Sequence, residues 1–220
     1  MDLLLSWSGG KDSALALRAL ARSRRYRVTA LLTTLTEGYD RVSMHGVRRA
    51  LLHAQAASLG LPLEEVWIPR ESSNLIYEER MRAALEKHVE LGVKGVASGD
   101  LFLADVRTYR ETRLREVGMK GVFPLWQRKT DRLARQFLDL GFSAVTCCVD
   151  SKKLSREFCG VPYDREFLAR LPEGVDPCGE NGEFHTFVFD GPLFYRRIGI
   201  KRGGVVSRQG FYFADLIPAG

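Results

Sequence analysis

The sequence predicts an α/β protein: a parallel sheet with helices on both faces, followed by a smaller α+β region. Three observations carry that expectation. An apolar N-terminal run leads through a glycine-rich turn into a strong helix former. Up to Asp100, β-branched apolar runs alternate with segments of helical periodicity. From Phe184 onward, short strand-like runs replace the helices.

The elements follow in order. Leu3 to Trp7 reads as a buried first strand, and Ala14 to Leu20 as the first helix. Val28 to Thr33 is a second strand, and Glu37 to Met44 a loop. Val47 to Leu59 is helical and closes at Gly60, the residue type that tolerates a left-handed cap. Leu63 to Ile68 is a strand stopped by Pro69. Leu75 to Leu91 is a helix ending at Gly92, and Val93 to Ala97 a strand running into Ser98-Gly99-Asp100. A soft boundary near residue 104 divides the chain into residues 1–104 and 105–220. Arg110 to Val117 and Thr130 to Leu140 are helical, with Thr130 as N-cap. Phe142 to Val149 is a strand. A proline-rich stretch follows, then strands at Phe184–Val188, Leu193–Ile200 and Phe211–Leu216, with a turn at Gly203-Gly204.

Composition narrows the function classes. The hydrophobic content of 45% and charged content of 27% are those of an ordinary globular protein, and no apolar run reaches the length of a membrane span. No basic n-region precedes the first strand, so neither a signal peptide nor a membrane is expected, and the location is read as cytoplasmic. The net charge of +6 suits anionic small molecules, but no long basic tract points to nucleic acid. The four cysteines form no Cys-x-x-Cys pair, which argues against structural zinc.

Two segments carry chemistry. Ser8-Gly9-Gly10-Lys11-Asp12-Ser13 lies between strand and helix, where free backbone N–H groups and a helix N-terminus meet an anion. Gly9 and Gly10 let the main chain approach a phosphate, Lys11 adds charge from an exposed turn, and the hydroxyls add donors. The spacing is neither Walker A nor Gly-x-Gly-x-x-Gly. The second segment, Gly179 to Thr186, packs Glu180, Asn181, Glu183 and His185 into one loop. With Phe184 turned into the core, Glu183 and His185 share the opposite face.

The string Ser-Gly-Gly-Lys-Asp-Ser resembles the pyrophosphate loop of the N-type ATP pyrophosphatases. Adding Arg107, Glu111, Pro124-Leu125-Trp126-Gln127-Arg128, Cys178-Gly179-Glu180 through Thr186, and Asp190-Gly191-Pro192-Leu193-Phe194, the chain resembles the diphthine–ammonia ligase family over nearly its whole length. Asn181 and His185 depart from the Gly and Glu of the diphthamide branch, and Asp105-Val106 from its Tyr-Gln. Those departures resemble a bacterial branch and imply an acceptor other than diphthine.

The resemblance implies a Rossmann-like, HUP-type ATP pyrophosphatase domain in residues 1–104 and an acceptor domain in residues 105–220. It implies adenylation of a carboxylate, release of pyrophosphate, and displacement of AMP by ammonia. Ser8, Gly9, Gly10, Lys11, Asp12, Ser13, Leu32, Thr33, Gly99 and Asp100 would bind ATP, with Asp12 and Asp100 as magnesium ligands. Lys11, Glu180, Asn181, Glu183 and His185 would be catalytic. Partners would be a small-molecule or protein carboxylate and ammonium, with homo-oligomerisation left open. A tRNA-modifying pyrophosphatase and a non-catalytic nucleotide binder are the competing classes.

Overall fold

Three consecutive leucines, Leu3 to Leu5, are fully buried at the middle of the first sheet. A strand covered on both faces reads as a continuous apolar run, and this one is. The computed structural model describes residues 1–219 and places these leucines in β1 (Asp2–Ser6). Strands β2 (Arg27–Thr36), β3 (Arg41–Val42), β4 (Leu63–Ile68), β5 (Gly95–Ala97) and β6 (Lys120–Val122) complete the sheet. The order is β4-β2-β1-β5-β6, all parallel. The short β3 runs antiparallel to the far end of β2, past the end of β1, so the sheet is mixed rather than purely parallel.

Helices cover both faces. Helices α1 (Lys11–Ala21) and α2 (Arg49–Leu59) pack on the side of Leu3, Leu5 and Leu31. Helices α3 (Asn74–Glu90) and α4 (Ala104–Glu116) pack on the side of Leu4, Leu32 and Val96. Gly60 caps α2 in the left-handed conformation expected of it. Helix α4 starts at Ala104 and packs on this first sheet, and strand β6, further along, pairs into it. Their signals are faint: α4 has no apolar stripe, and β6 contributes three residues, Lys120-Gly121-Val122, with no β-branched run.

The second sheet is antiparallel. Strands β7 (Ser143–Asp150), β8 (Phe184–Asp190), β9 (Ile200–Arg208) and β10 (Phe211–Pro218) lie in the order β8-β7-β10-β9. Helices α5 (Thr130–Asp139) and α6 (Arg165–Arg170) accompany it. The core on the α1 and α2 side continues without a break into Val149, Phe187, Val188 and Ala214 of this sheet.

Three local expectations are corrected. Residues 193–199 form turns and bends rather than strand, because the backbone there bonds to the end of α2, Tyr195 N donating to Ser58 O at 2.8 Å. Gly203 and Gly204 lie inside β9, where an edge strand needs only one hydrogen-bonded flank; the reversal is at Gln209-Gly210, both at positive φ. Thr130 is the first residue of α5 rather than its cap, which is Lys129.

Candidate active site

The glycine-rich loop joins β1 to α1 and is stitched from both sides. Gly9 has φ +79°, and a Cβ there would lie 2.7 Å from Gln55 Oε1. Gln55 donates to Gly9 O at 3.0 Å and to Val188 O at 2.6 Å, and accepts from Trp7 Nε1 at 2.9 Å. Val188 N donates to Gly9 O at 2.8 Å, so β8 of the second sheet is bonded directly to the loop. Ser13 Oγ donates to Gly10 O at 2.8 Å. Gly99 closes the far side: a Cβ there would lie 2.9 Å from the carbonyl of Asp12. The main chain is close-packed here in a way that only glycine permits.

Lys11 is not on an exposed turn. It is the first residue of α1 and only 2% exposed. Its N–H donates to Thr186 Oγ1 at 3.0 Å. Its ammonium donates to Asp12 Oδ2 at 2.8 Å and to the carbonyl of Cys178. Burial works against this charge, but Asp12, then Cys178 and Glu180, outweigh it and hold the pKa above its ordinary value. Lys11 is therefore a fixed cation between the first loop and the late one.

The late loop divides its polar residues between two tasks. Glu183 is 2% exposed. Its carboxylate accepts from Asp176 N at 3.1 Å, Asn181 N at 2.9 Å and Asn181 Nδ2 at 3.0 Å. Glu183 and Asn181 thus tie the loop to itself and do not line the cleft. Glu180 does line it. Its Oε1 accepts from Leu101 N at 2.8 Å, bridging to the loop after β5. Burial pushes the Glu180 carboxyl up to about 7, against the N–H groups of Leu101 and Phe102. His185 faces the cleft and packs against His45, with ring centroids 4.2 Å apart. The expected pairing of Glu183 with His185 on one face is not formed.

These segments enclose one cleft of about 260 Å³. Ser8, Gly10, Lys11, Asp12, Ser13, Gly99, Asp100, Glu180 and His185 all line it. Gly9 lies behind it as backbone support. Beside it, between α3 and α4, is an apolar pocket lined by Leu32, Tyr77, Met81, Leu85 and Tyr109, sharing Ser6, Ser98 and Arg110 with the cleft. Thr33 is on the opposite face of β2, buried, with its hydroxyl unpartnered. Sequence reading gave no site role to His45, Thr186, Gln55 or Arg110. Thr186 stands in the late motif, which is a usable signal; Gln55 and Arg110 stand in segments that read as helices and not as sites, and His45 follows a loop with no local pattern.

Asp12 and Asp100 offer oxygen donors for a magnesium ion. Asp12 Oδ1 is buried with no partner, and Asp100 Oδ2 lies 3.1 Å from Arg110 Nε without hydrogen-bond geometry. No cluster of three or more metal-ligating side chains occurs among the described residues. Two carboxylates fit magnesium when phosphate oxygens and water complete its shell.

Profiles of two protein domains match this chain. The diphthamide synthase N-terminal domain matches residues 1–121, and the diphthamide synthase C-terminal domain matches residues 129–214. The chain belongs to the diphthamide synthase family. It is 28% identical over 230 residues to a diphthine–ammonia ligase of Schizosaccharomyces pombe, covering 95% of this chain and 38% of that protein. It is 27% identical over 233 residues to a diphthine–ammonia ligase of Danio rerio, covering 95% of this chain and 90% of that protein. The chain thus spans well under half of the yeast relative and most of the zebrafish one. Among solved structures, a predicted subunit of tRNA methyltransferase from Methanocaldococcus jannaschii aligns with TM-score 0.42 and 18% identity, over 67% of this chain and 80% of that one.

Proposed function

We propose that this chain is an ATP-dependent ligase that activates a carboxylate as an acyl-adenylate, releases pyrophosphate, and forms an amide with ammonia. The observation that carries this reading is the joining of the glycine loop and the late loop around one cleft, with Lys11 bonded to both. An enzyme that only bound nucleotide would not need the second loop there. The diphthine–ammonia ligase relatives support the same reaction class.

In this reading the adenine enters the apolar pocket beside Leu32, between Tyr77, Met81 and Tyr109. The phosphates lie along Ser8 to Ser13. Free N–H groups at the start of α1, together with Lys11, stabilise the charge of the departing pyrophosphate. Asp12 and Asp100 would hold magnesium, which would supply further charge neutralisation. The acceptor carboxylate attacks the α-phosphorus, and the bond to the β-phosphate oxygen breaks. Glu180 and His185 face that acceptor, whereas Glu183 and Asn181 shape the loop that presents them. The cleft's many polar groups suit positioning and electrostatics, which is the bulk of the catalytic demand. No helix among the described residues is long and apolar enough to cross a membrane. The four free, buried cysteines suit a reducing compartment, in keeping with a cytoplasmic location.

The test is product analysis with candidate carboxylic acids and ammonium chloride. AMP and pyrophosphate should form in equal amounts, and a folded Lys11→Met variant should form neither. ADP and phosphate as products would overturn the reading. Sulfur transfer to tRNA without amide formation would move the chain to a tRNA-modifying class.

A further inference from the structure

His45 and His185 come from different sheets and meet in the cleft. His45 stands in the turn between β3 and α2, and His185 in β8. Their rings lie 4.2 Å apart between centroids, tilted by 36°. Nδ1 of His45 is 3.4 Å from Ser43 O, which places its N–H there and leaves Nε2 as an acceptor. The His185 ring makes no hydrogen bond to protein among the described residues.

The turn that carries His45 is clamped. Arg41 Nη1 donates to Gly46 O at 2.7 Å. Arg41 and Arg48 both bond Asp215 of β10, at 2.8 to 2.9 Å. Met44 and Gly46 have positive φ, and the Phe213 ring closes on Gly46. A solvated loop histidine would not need this support.

The pair is ill suited to a metal. No third ligating side chain joins the two tilted rings among the described residues. The charged and titratable groups around the cleft are Lys11 and Asp12 of α1, Asp100, Arg110 of α4, Cys178 and Glu180. Burial holds both imidazoles below their ordinary pKa, and the charge of Lys11 adds to it, with His45 acting on His185 as well. A second cation is therefore disfavoured beside them, while a neutral hydrogen-bond donor is not.

We propose that His45 and His185 form the nucleophile subsite, accepting N–H bonds from ammonia in its neutral form and aiming its lone pair at the activated carboxyl. This rests on the ligase reading above. The nitrogen lone pair forms the C–N bond. The C–O bond to AMP breaks, its electron pair leaving on the phosphate oxygen. The surplus proton on nitrogen passes to solvent water.

The experiment uses the full chain with 15N-labelled histidine, saturated with AMP and titrated with ammonium chloride against sodium chloride. Of the four histidines, His53 and His88 bond Glu65 and Glu64 away from the cleft and serve as internal controls. Saturable shifts are expected at His45 and His185 alone. The midpoint in total ammonium should fall about tenfold between pH 7 and pH 8, as the neutral fraction rises. His45→Gln and His185→Gln should each weaken the response about tenfold. Shifts matched by sodium, a midpoint independent of pH, or no shift would overturn the subsite. The wild-type titration decides this even if a variant fails to fold. AMP binding in the same spectra separates the two claims. AMP bound without an ammonium response defeats the subsite alone, whereas the absence of both AMP and ATP binding defeats the ligase reading and the nucleophile role with it.

Discussion

The loop at residues 8–13 and the loop at residues 176–186 both line the cleft, yet they are built in opposite ways. The first does its work with backbone: glycines, N–H groups and the start of a helix. The second is rich in polar side chains, but its most buried carboxylate, Glu183, is spent on bonds within the loop. Three residues earlier, Glu180 has the same side chain and points into the cleft. Residue type does not separate these two glutamates; hydrogen-bond partners do. A carboxylate that meets three N–H donors at short range is a structural anchor, and one that keeps an oxygen toward the cleft is available for chemistry.

The largest effect that could break this comparison is at Lys11, which bridges the two loops. Lys11→Met should abolish AMP formation and also destabilise the fold. It leaves the half-buried Asp12 carboxylate and the buried Cys178 carbonyl without their partner, at a cost of about 1–3 kcal/mol. Urea denaturation beside AMP release tests both parts. A fully stable variant would show that the bridge carries no structural weight.

The glutamates come next. Glu183→Ala strands three N–H donors and should cost about 3 kcal/mol, read as a lower urea midpoint and faster proteolysis near Asp176. Glu180→Gln should remain within about 1 kcal/mol of the parent, because a neutral amide oxygen can still accept from Leu101 N. Equal destabilisation by both would erase the distinction between anchor and cleft residue.

Proton linkage sharpens it further. Burial pushes the Glu180 carboxyl up to about 7 from an ordinary 4.5, so its ionisation costs stability as pH rises through that window. His45 runs the other way. Its folded pKa is about 4 against an ordinary 6.5, so its contribution is complete above about 6.5 and is lost as pH falls toward 4. Between about pH 4.5 and pH 7, urea midpoints should therefore lose their decline with rising pH in Glu180→Gln and part of their decline with falling pH in His45→Gln. Unchanged pH profiles would mean that neither group is buried as described.

The smallest effect lies at the clamp behind His45. Asp215 accepts from Arg41 and Arg48, and those bonds hold its carboxyl down to about 2. These groups are partly exposed, so Asp215→Asn should cost only about 1 kcal/mol. It should, however, loosen the His45 turn, visible as exchange broadening of the His45 imidazole while His185 stays sharp.

The sequence by itself determined the first sheet's central strands, α1, α2 and α3, the last two with their glycine ends, and the loop at residues 8–13. Each rests on local signals: continuous apolar runs, period-3.6 stripes, left-handed glycine caps, and a turn whose function needs the residues it is made of. It did not show β6, which is three residues long, or the hairpin at Gln209-Gly210, because edge strands place weak demands on sequence. Nor could it distinguish Glu180 from Glu183, place Thr33 behind the sheet, or bring His45 to His185. Those outcomes depend on which groups arrive from distant parts of the chain to accept or donate. The bonds from β8 to Gly9 and from Thr186 to Lys11 decide them, by packing an antiparallel sheet against the mouth of a parallel one.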